Sequence, residues 1–161
     1  MAHPSFQNIG AYIKQAFAVS ATAVAAGAGD NTETNGSIVD RLGFQSAVLV
    51  LAAQATLSAN KKATFKATIQ DGDDASLTDA ADIAAALQPS GAADSVVLTI
   101  TDSGAGGTQK TSVNIVENLN LASLKRYLRA QVHVDLDAGV TDTAHYCAVW
   151  ILGGHRELPQ T

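Results

Sequence analysis

The stretch from Arg126 to Leu136 sets the strongest limit on the fold. Leu128, Ala130, Val132, Val134 and Leu136 alternate there with Tyr127, Arg129, Gln131, His133 and Asp135. A period of two puts one set on each face of a strand, the mark of a half-buried antiparallel sheet. Phe65, Ala67 and Ile69 repeat the pattern within Thr64–Gln70. Ser46–Leu51 and Tyr146–Leu152 are continuous apolar runs, read as strands covered on both faces. Val96–Thr101 and Thr111–Val116, rich in Val, Ile and Thr, complete the set.

Residues that tolerate positive φ separate these strands: Gly27 to Asn31, Asn35-Gly36, Asp71-Gly72, Ser90-Gly91 and Ser103 to Gly107. The last loop joins Val96–Thr101 to Thr111–Val116 in what reads as a hairpin. Helix is minor, with two turns expected over Asp79–Leu87 and one over Leu121–Leu124. There is no strand–helix–strand alternation and no internal repeat. The fold class is therefore mostly β, an antiparallel β-sandwich or jelly roll with one or two short helical segments and an extended N-terminal arm. We place the arm at residues 1–15 and a single domain at 16–161, whose tail from Gly153 to Thr161 is loop-like. Phe6, Ile9, Tyr12 and Ile13 have rough helical spacing, but the arm is short for a stable lone helix. It is expected to dock on its own domain or to reach a neighbour.

A chain of 161 residues can bury a core without metals or disulfides. Aromatics are only 5%, so the core must rest on Val, Ile and Leu, with Phe17, Phe44, Phe65, Tyr127, Tyr146 and Trp150 as anchors. A surface this poor in charge (16% Asp, Glu, Lys and Arg) is of a kind that another subunit often covers. The net charge of −5 argues against a partner made of nucleic acid, which calls for a basic stripe. The cations that do cluster are Lys125, Arg126 and Arg129, with Lys61-Lys62 as a weaker pair. The Ala/Val run from Ala16 to Ala28 is broken by Ser20 and Thr22 and falls short of the ~18–20 apolar residues of a membrane span. The start Met1-Ala2-His3-Pro4-Ser5 lacks a signal peptide's basic and apolar regions, so a soluble chain is expected. Cys147 is the sole cysteine, which excludes an intrachain disulfide, and it reads as a small buried hydrophobe.

Candidate chemistry is thin. Asp71, Asp73, Asp74, Asp79 and Asp82 offer oxygen ligands, but the alternating calcium-loop pattern and its closing Glu are missing, so a solvated turn is the better account. His3 and His155 lie near the termini. His133 and His145 would face each other across a hairpin turning near Ala138-Gly139, two ligands where zinc wants three. Ser103 to Thr108 lacks the lysine of a phosphate loop. There is no nucleophile elbow, and Cys147 has no activating base in view. We expect no enzyme, no cofactor and no metal; His133, Asp135 and Asp137 are the only hydrolase candidates. Lys125-Arg126-Tyr127-Leu128-Arg129 turns Tyr127 and Arg129 outward together, with Arg126 towards the inward set. That is either a strand entrance solvated by cations or a partner-facing patch, since Tyr and Arg are favoured anchors. The expected interface residues are Phe6, Ile9, Tyr12, Tyr127 and Arg129.

From about Asp40 to Pro159 the chain resembles small proteins encoded among phage head genes. The marks are Asp40-Arg41-Leu42-Gly43-Phe44-Gln45-Ser46-Ala47 leading into an apolar strand, and Ala67-Thr68-Ile69-Gln70-Asp71-Gly72-Asp73-Asp74 ending the next. Lys125-Arg126-Tyr127-Leu128-Arg129 opens a late strand, and Ala148-Val149-Trp150-Ile151-Leu152-Gly153-Gly154-His155 closes the series. The resemblance implies a β-sandwich or jelly-roll decoration (cement) protein on the exterior of an HK97-like phage head. Its partners would be the major capsid protein and itself, as a dimer or trimer, and no catalytic residues come with it. The chain departs from that pattern in the Ala-rich segment Asp79–Leu87, expected to be helical, and in its long N-terminal segment. Rival readings are another virion component (a head–tail connector, a tail component or a head fibre base) and a carbohydrate-binding β-sandwich. The carbohydrate reading needs exposed aromatics, which are scarce here.

Overall fold

The computed structural model describes residues 12–27, 30–137 and 141–154, and the side chains of all of these except 110–117. Their strands are β1 (Lys14–Ala25), β2 (Thr34–Asn35), β3 (Val39–Asp40), β4 (Ser46–Leu57), β5 (Lys62–Gly72), β6 (Ala81–Asp82), β7 (Ser95–Thr101), β8 (Gly107–Asn120), β9 (Tyr127–Leu136) and β10 (Thr143–Gly153). One sheet runs β1-β10-β4-β8; the other is built on β9 and β5, with β2 and β3 beside β9 and β6 and β7 beside β5. Every pairing is antiparallel.

The pairs are nested: β1 with β10, β2 and β3 with β9, β4 with β8, β5 with β7. A chain paired in this way is one long hairpin. Rolling it up brings β10 against β4 and β9 against β5. This is the jelly roll, one of the ways an all-antiparallel chain limits its open edges. Sandwich and jelly roll were both legible in the alternation; the nesting selects the second.

The alternating sets behave as expected. Phe65, Ala67, Ile69, Leu128, Ala130, Val132, Val134 and Leu136 are buried, together with Leu49, Leu51, Trp150 and Leu152 from the facing sheet. Tyr146 ties the two layers together. Its hydroxyl, 3.1 Å from Thr34 Oγ1 and 3.2 Å from the Val132 carbonyl, reaches across from β10, and its ring meets Phe65 edge-on at 6.0 Å. At the side, Gly36 N donates to Ala130 O (2.9 Å) and Ser37 N to Ala18 O (2.7 Å), stitching β9 to the edge strand β1. A Cβ on Gly36 would lie 2.1 Å from Ala18 O and 2.3 Å from Ala130 O, so the residue is glycine for want of space.

Several expectations are corrected. Val96–Thr101 and Thr111–Val116 do not form a hairpin: β7 pairs with β5 and β8 with β4, in opposite sheets. Asp102 holds the crossing loop, its carboxylate accepting from Gly104 N (2.7 Å), Gly106 N (3.0 Å) and Asn60 N (3.2 Å). Asp79–Leu87 is not helical beyond one 3-10 turn at Ala85–Leu87. The segment instead serves β5: Ile83 N donates to Ile69 O, and the buried Gln88 amide brackets Ile69, accepting from its N–H and donating to its C=O at 2.8 Å each. Leu121–Ser123 is a 3-10 turn, as expected, capped by the Asn120 side chain. β1 begins at Lys14, within the last residues of the expected arm; residues 1–11, with Phe6 and Ile9, lie outside the described residues.

The apolar runs bring a further correction. β4 and β10 are longer than read and alternate in burial, so the described residues cover only one of their faces. Phe17, expected in the core, is 64% exposed. The register of β1 against β10 slips between Phe17 and Val19, and such a bulge lets Ala18 and Val19 both turn inward while the ring of Phe17 turns out.

Candidate interaction surfaces

The four sequence marks of the phage-head resemblance meet at one end of the sandwich, joined by hydrogen bonds. Arg126 clamps Asp40 through Nη2 (2.7 Å) and Nε (3.1 Å), and Arg41 Nε donates to the Lys125 carbonyl (2.9 Å). Arg41 Nη2 also donates to the Leu124 carbonyl. Lys125 N donates to Asp71 Oδ2 (2.8 Å), while Lys125 Nζ lies 3.5 Å from Asp79 and 3.9 Å from Asp73. The closing mark joins through Gln45 N, which donates to Gly153 O at 3.1 Å, and Leu121 N, which donates to Gln45 O at 2.9 Å. Residues scattered over more than a hundred positions thus form one corner.

The electrostatics of this corner are those of a self-satisfied structure. The Arg126 guanidinium beside Asp40 holds its carboxyl below the usual carboxylate range. Asp79 is held low chiefly by the N–H groups of Asp73 and Asp74, and Asp74 by the N–H of Ser76 and the hydroxyl of Thr78. The carboxylates of Asp74 and Asp79 are spent on the turn's own backbone, while those of Asp71 and Asp73 face Lys125. A Cβ on Gly72 would sit 2.4 Å from Asp79 Oδ1, which explains the Asp-Gly corner by close approach. Among the described residues no group of three His, Cys, Asp or Glu is placed to hold a metal.

Of the expected interface residues, Tyr127 and Arg129 lie on the outward face of β9, both half-buried. The Arg126 guanidinium sits over the Tyr127 ring, 5.1 Å from its centre, and is itself exposed; the sequence had placed it towards the inward set. Arg129 Nε donates to Gln70 Oε1, and Gln70 in turn to Asp82, each at 2.8 Å. Tyr12 is half-buried in the turn before β1. Leu42, inside the first mark and in the loop between β3 and β4, is 65% exposed and joins them as a candidate that the alternation does not single out.

The other candidates separate. His133 and His145 are not a facing pair: β9 and β10 belong to different sheets, and the supposed turn at Ala138-Gly139 lies outside the described residues. His133 is buried 3.3 Å from Asp94, while His145 is exposed on the opposite layer. Gln131, read as outward, is buried under Glu33 and Asn35, whose side-chain oxygens accept from its Nε2. Asp135 and Asp137 are exposed, and His3 and His155 lie outside the described residues.

A second surface is the outward face of the β1-β10-β4-β8 sheet. β1, β4 and β10 together carry a single Asp, Glu, Lys or Arg, which is Lys14 at the end of β1. Ala21, Ala23, Ala52, Gln54, His145 and Cys147 line an open depression of about 440 Å³ on this face. Cys147 is therefore half-exposed there, not buried in the core. A smaller hollow of about 300 Å³ lies beside Phe17 and Val149. The outward face of the other sheet carries Lys66, Arg129, Gln131, His133 and Asp135, with Val96 exposed beside Lys66, and is largely polar.

The nested register makes this a jelly-roll protein. No protein-family model and no curated protein matches the chain. Among solved structures it is similar to a chain of the infectious bursal disease virus Gx strain structure, with TM-score 0.48 and 10% identity over 89% of this chain and 33% of that one. It is also similar to a chain of the cyanophage Pam1 capsid asymmetric unit, with TM-score 0.41 and 12% identity over 88% and 85%. A third likeness is to a chain of the acidic stable capsid of Helicobacter pylori bacteriophage KHP30, with TM-score 0.40 and 7% identity over 87% and 92%. The chain spans about a third of the length of the bursal disease virus chains it matches.

Proposed function

We propose that this chain is a structural protein of a viral particle, a decoration (cement) protein that binds the outer surface of an HK97-like phage head and stabilises the expanded shell. The observation that carries the reading is the corner at which the segments that resemble those of phage head proteins converge. Sequence segments that resemble such proteins singly are here one connected structure, with Leu42, Tyr127 and Arg126 exposed or half-exposed upon it. A self-satisfied corner with apolar and aromatic tips suits docking better than catalysis, because its charges are engaged with one another and Tyr and Arg are favoured interface anchors. The acidic net charge suits the outside of a shell rather than a DNA-facing lining.

A cement protein works by summed area. Each copy need bind only modestly when a rigid lattice repeats its site, and an interface of ~1,200–2,000 Å² suffices. The major capsid protein is the proposed partner, with residues 1–15 and the Tyr127/Arg129 face making contacts between subunits. Removing residues 1–11, or Tyr127→Ala with Arg129→Ala, should weaken binding to emptied, expanded heads at least about tenfold. Unchanged binding by both variants would remove these contacts from the account. A head–tail connector would instead form closed rings in solution without shells, visible by electron microscopy.

A further inference from the structure

The outward face of the β1-β10-β4-β8 sheet has a knob and a hole. Phe17 stands 64% exposed near the start of β1, opposite Val149 on β10. The depression lined by Ala21, Ala23, Ala52 and Cys147 lies farther along the same strands, where alanine side chains leave room. Its volume of about 440 Å³ is ample for a phenyl ring, since cavities of about 150 Å³ already accept benzene. Val50 and Val149 lie level with the knob and Ile151 just beyond it, all half-exposed. An exposed ring next to uncharged, concave surface is what an aromatic anchor and its pocket look like before association.

We propose that this face docks a second copy of the chain, with Phe17 of each copy seated in the alanine-lined depression of the other. A two-fold axis lying in the interface, crossing the strands midway between knob and depression, exchanges the two positions, as an isologous contact requires. The area is sufficient. Four strands at about 4.8 Å spacing and some eleven residues at about 3.3 Å rise give a face of about 700 Å², or about 1,400 Å² over two copies. The charge is also compatible on three of the four strands: no outward position of β1, β4 or β10 carries an acidic side chain, lysine or arginine, so these strands meet a second copy without like-charge repulsion. The apolar runs Ser46–Leu51 and Tyr146–Leu152 then gain the second cover that their sequence calls for.

The test is sedimentation of the purified full chain with no shells present, so that its result is separate from that of head binding. The wild-type protein should associate at micromolar concentration. Phe17→Ser, which removes the knob, and Ala52→Arg, which fills the depression with charge, should each weaken association at least about thirtyfold while leaving the far-ultraviolet spectrum unchanged. A wild-type protein that stays monomeric overturns the proposal, and so does association that both variants leave unchanged. If the monomer binds heads only when Phe17 is present, the face belongs to the shell. If deleting residues 1–11 alone raises dye binding to a monomer, it belongs to the chain's own N-terminal segment.

Discussion

Replacing Gly36 by alanine should cost far more than the loss of one hydrogen atom suggests. At an unstrained position the change would stabilise the fold by about 0.4–1 kcal/mol, by limiting the unfolded chain. Gly36 has no positive φ to forbid a side chain. What forbids it is space: the new methyl would stand 2.1 Å from Ala18 O and 2.3 Å from Ala130 O, both backbone atoms on different sheets. The segment must therefore lift. Lifting breaks the bonds from Gly36 N to Ala130 O and from Ser37 N to Ala18 O, and it draws Thr34 from the Tyr146 hydroxyl. At about 1 kcal/mol for each bond lost, with more for carbonyls left buried, the net cost is about 2–4 kcal/mol. For a domain of this size that is a fall in Tm of about 5–15 °C, read by circular dichroism on heating, with a matching shift of the urea midpoint. A Tm within about 2 °C of wild type would refute the view that this stitch closes the jelly roll.

Gln88→Ala leaves the N–H and C=O of buried Ile69 without the amide that brackets them, and should cost about 2–4 kcal/mol by urea unfolding. Tyr146→Phe removes the cross-sheet hydroxyl and should cost about 1 kcal/mol. Burial raises the Tyr146 hydroxyl above its ordinary value of 10.0. Its contribution is therefore full below pH 10 and lost as pH rises through the folded value, and the Phe variant should show a smaller alkaline loss. Asp40, Asp74, Asp79 and Asp102 are all held below 3.8, chiefly by Arg126, the Ser76 N–H, the Asp73 N–H and the Gly106 N–H respectively. Their contribution is present above 3.8 and lost as pH falls through the lower folded values, so the Tm should hold to about pH 4 and drop below it. Asp102→Asn should flatten that acid limb.

Layer membership was readable from the period-two segments because burial of one face acts on every second residue. Phe65, Ile69, Leu128 and Val132 had only one side to go to. Strand pairing was not readable, since Val96–Thr101 and Thr111–Val116 have equal claims on each other and on β5 and β4. The crossing loop between them looks like any glycine-rich turn, and only in the structure is the Asp102 carboxylate seen to hold it. Phe17 was misplaced for a related reason. A bulge shifts the alternation by one residue, and nothing in Ala16-Phe17-Ala18-Val19 announces it. Asp79–Leu87 carries alanines that favour helix, yet its one buried hydrophobe, Ile83, and the Gln88 amide are worth more against β5. The convergence of Asp40, Asp71, Lys125 and Gly153 in one corner is a property of the roll, invisible until the strands are wound. Leu42 could have been found, as a large apolar residue beside Gly43 in a turn between polar neighbours.

The most direct test of the proposed function is to add the purified chain to emptied, expanded heads of the phage that carries it, and to measure bound copies per shell and the disruption temperature. The account predicts saturation at a fixed copy number set by the lattice, with a higher disruption temperature. Heads that neither bind the chain nor gain stability from it would contradict a role as cement.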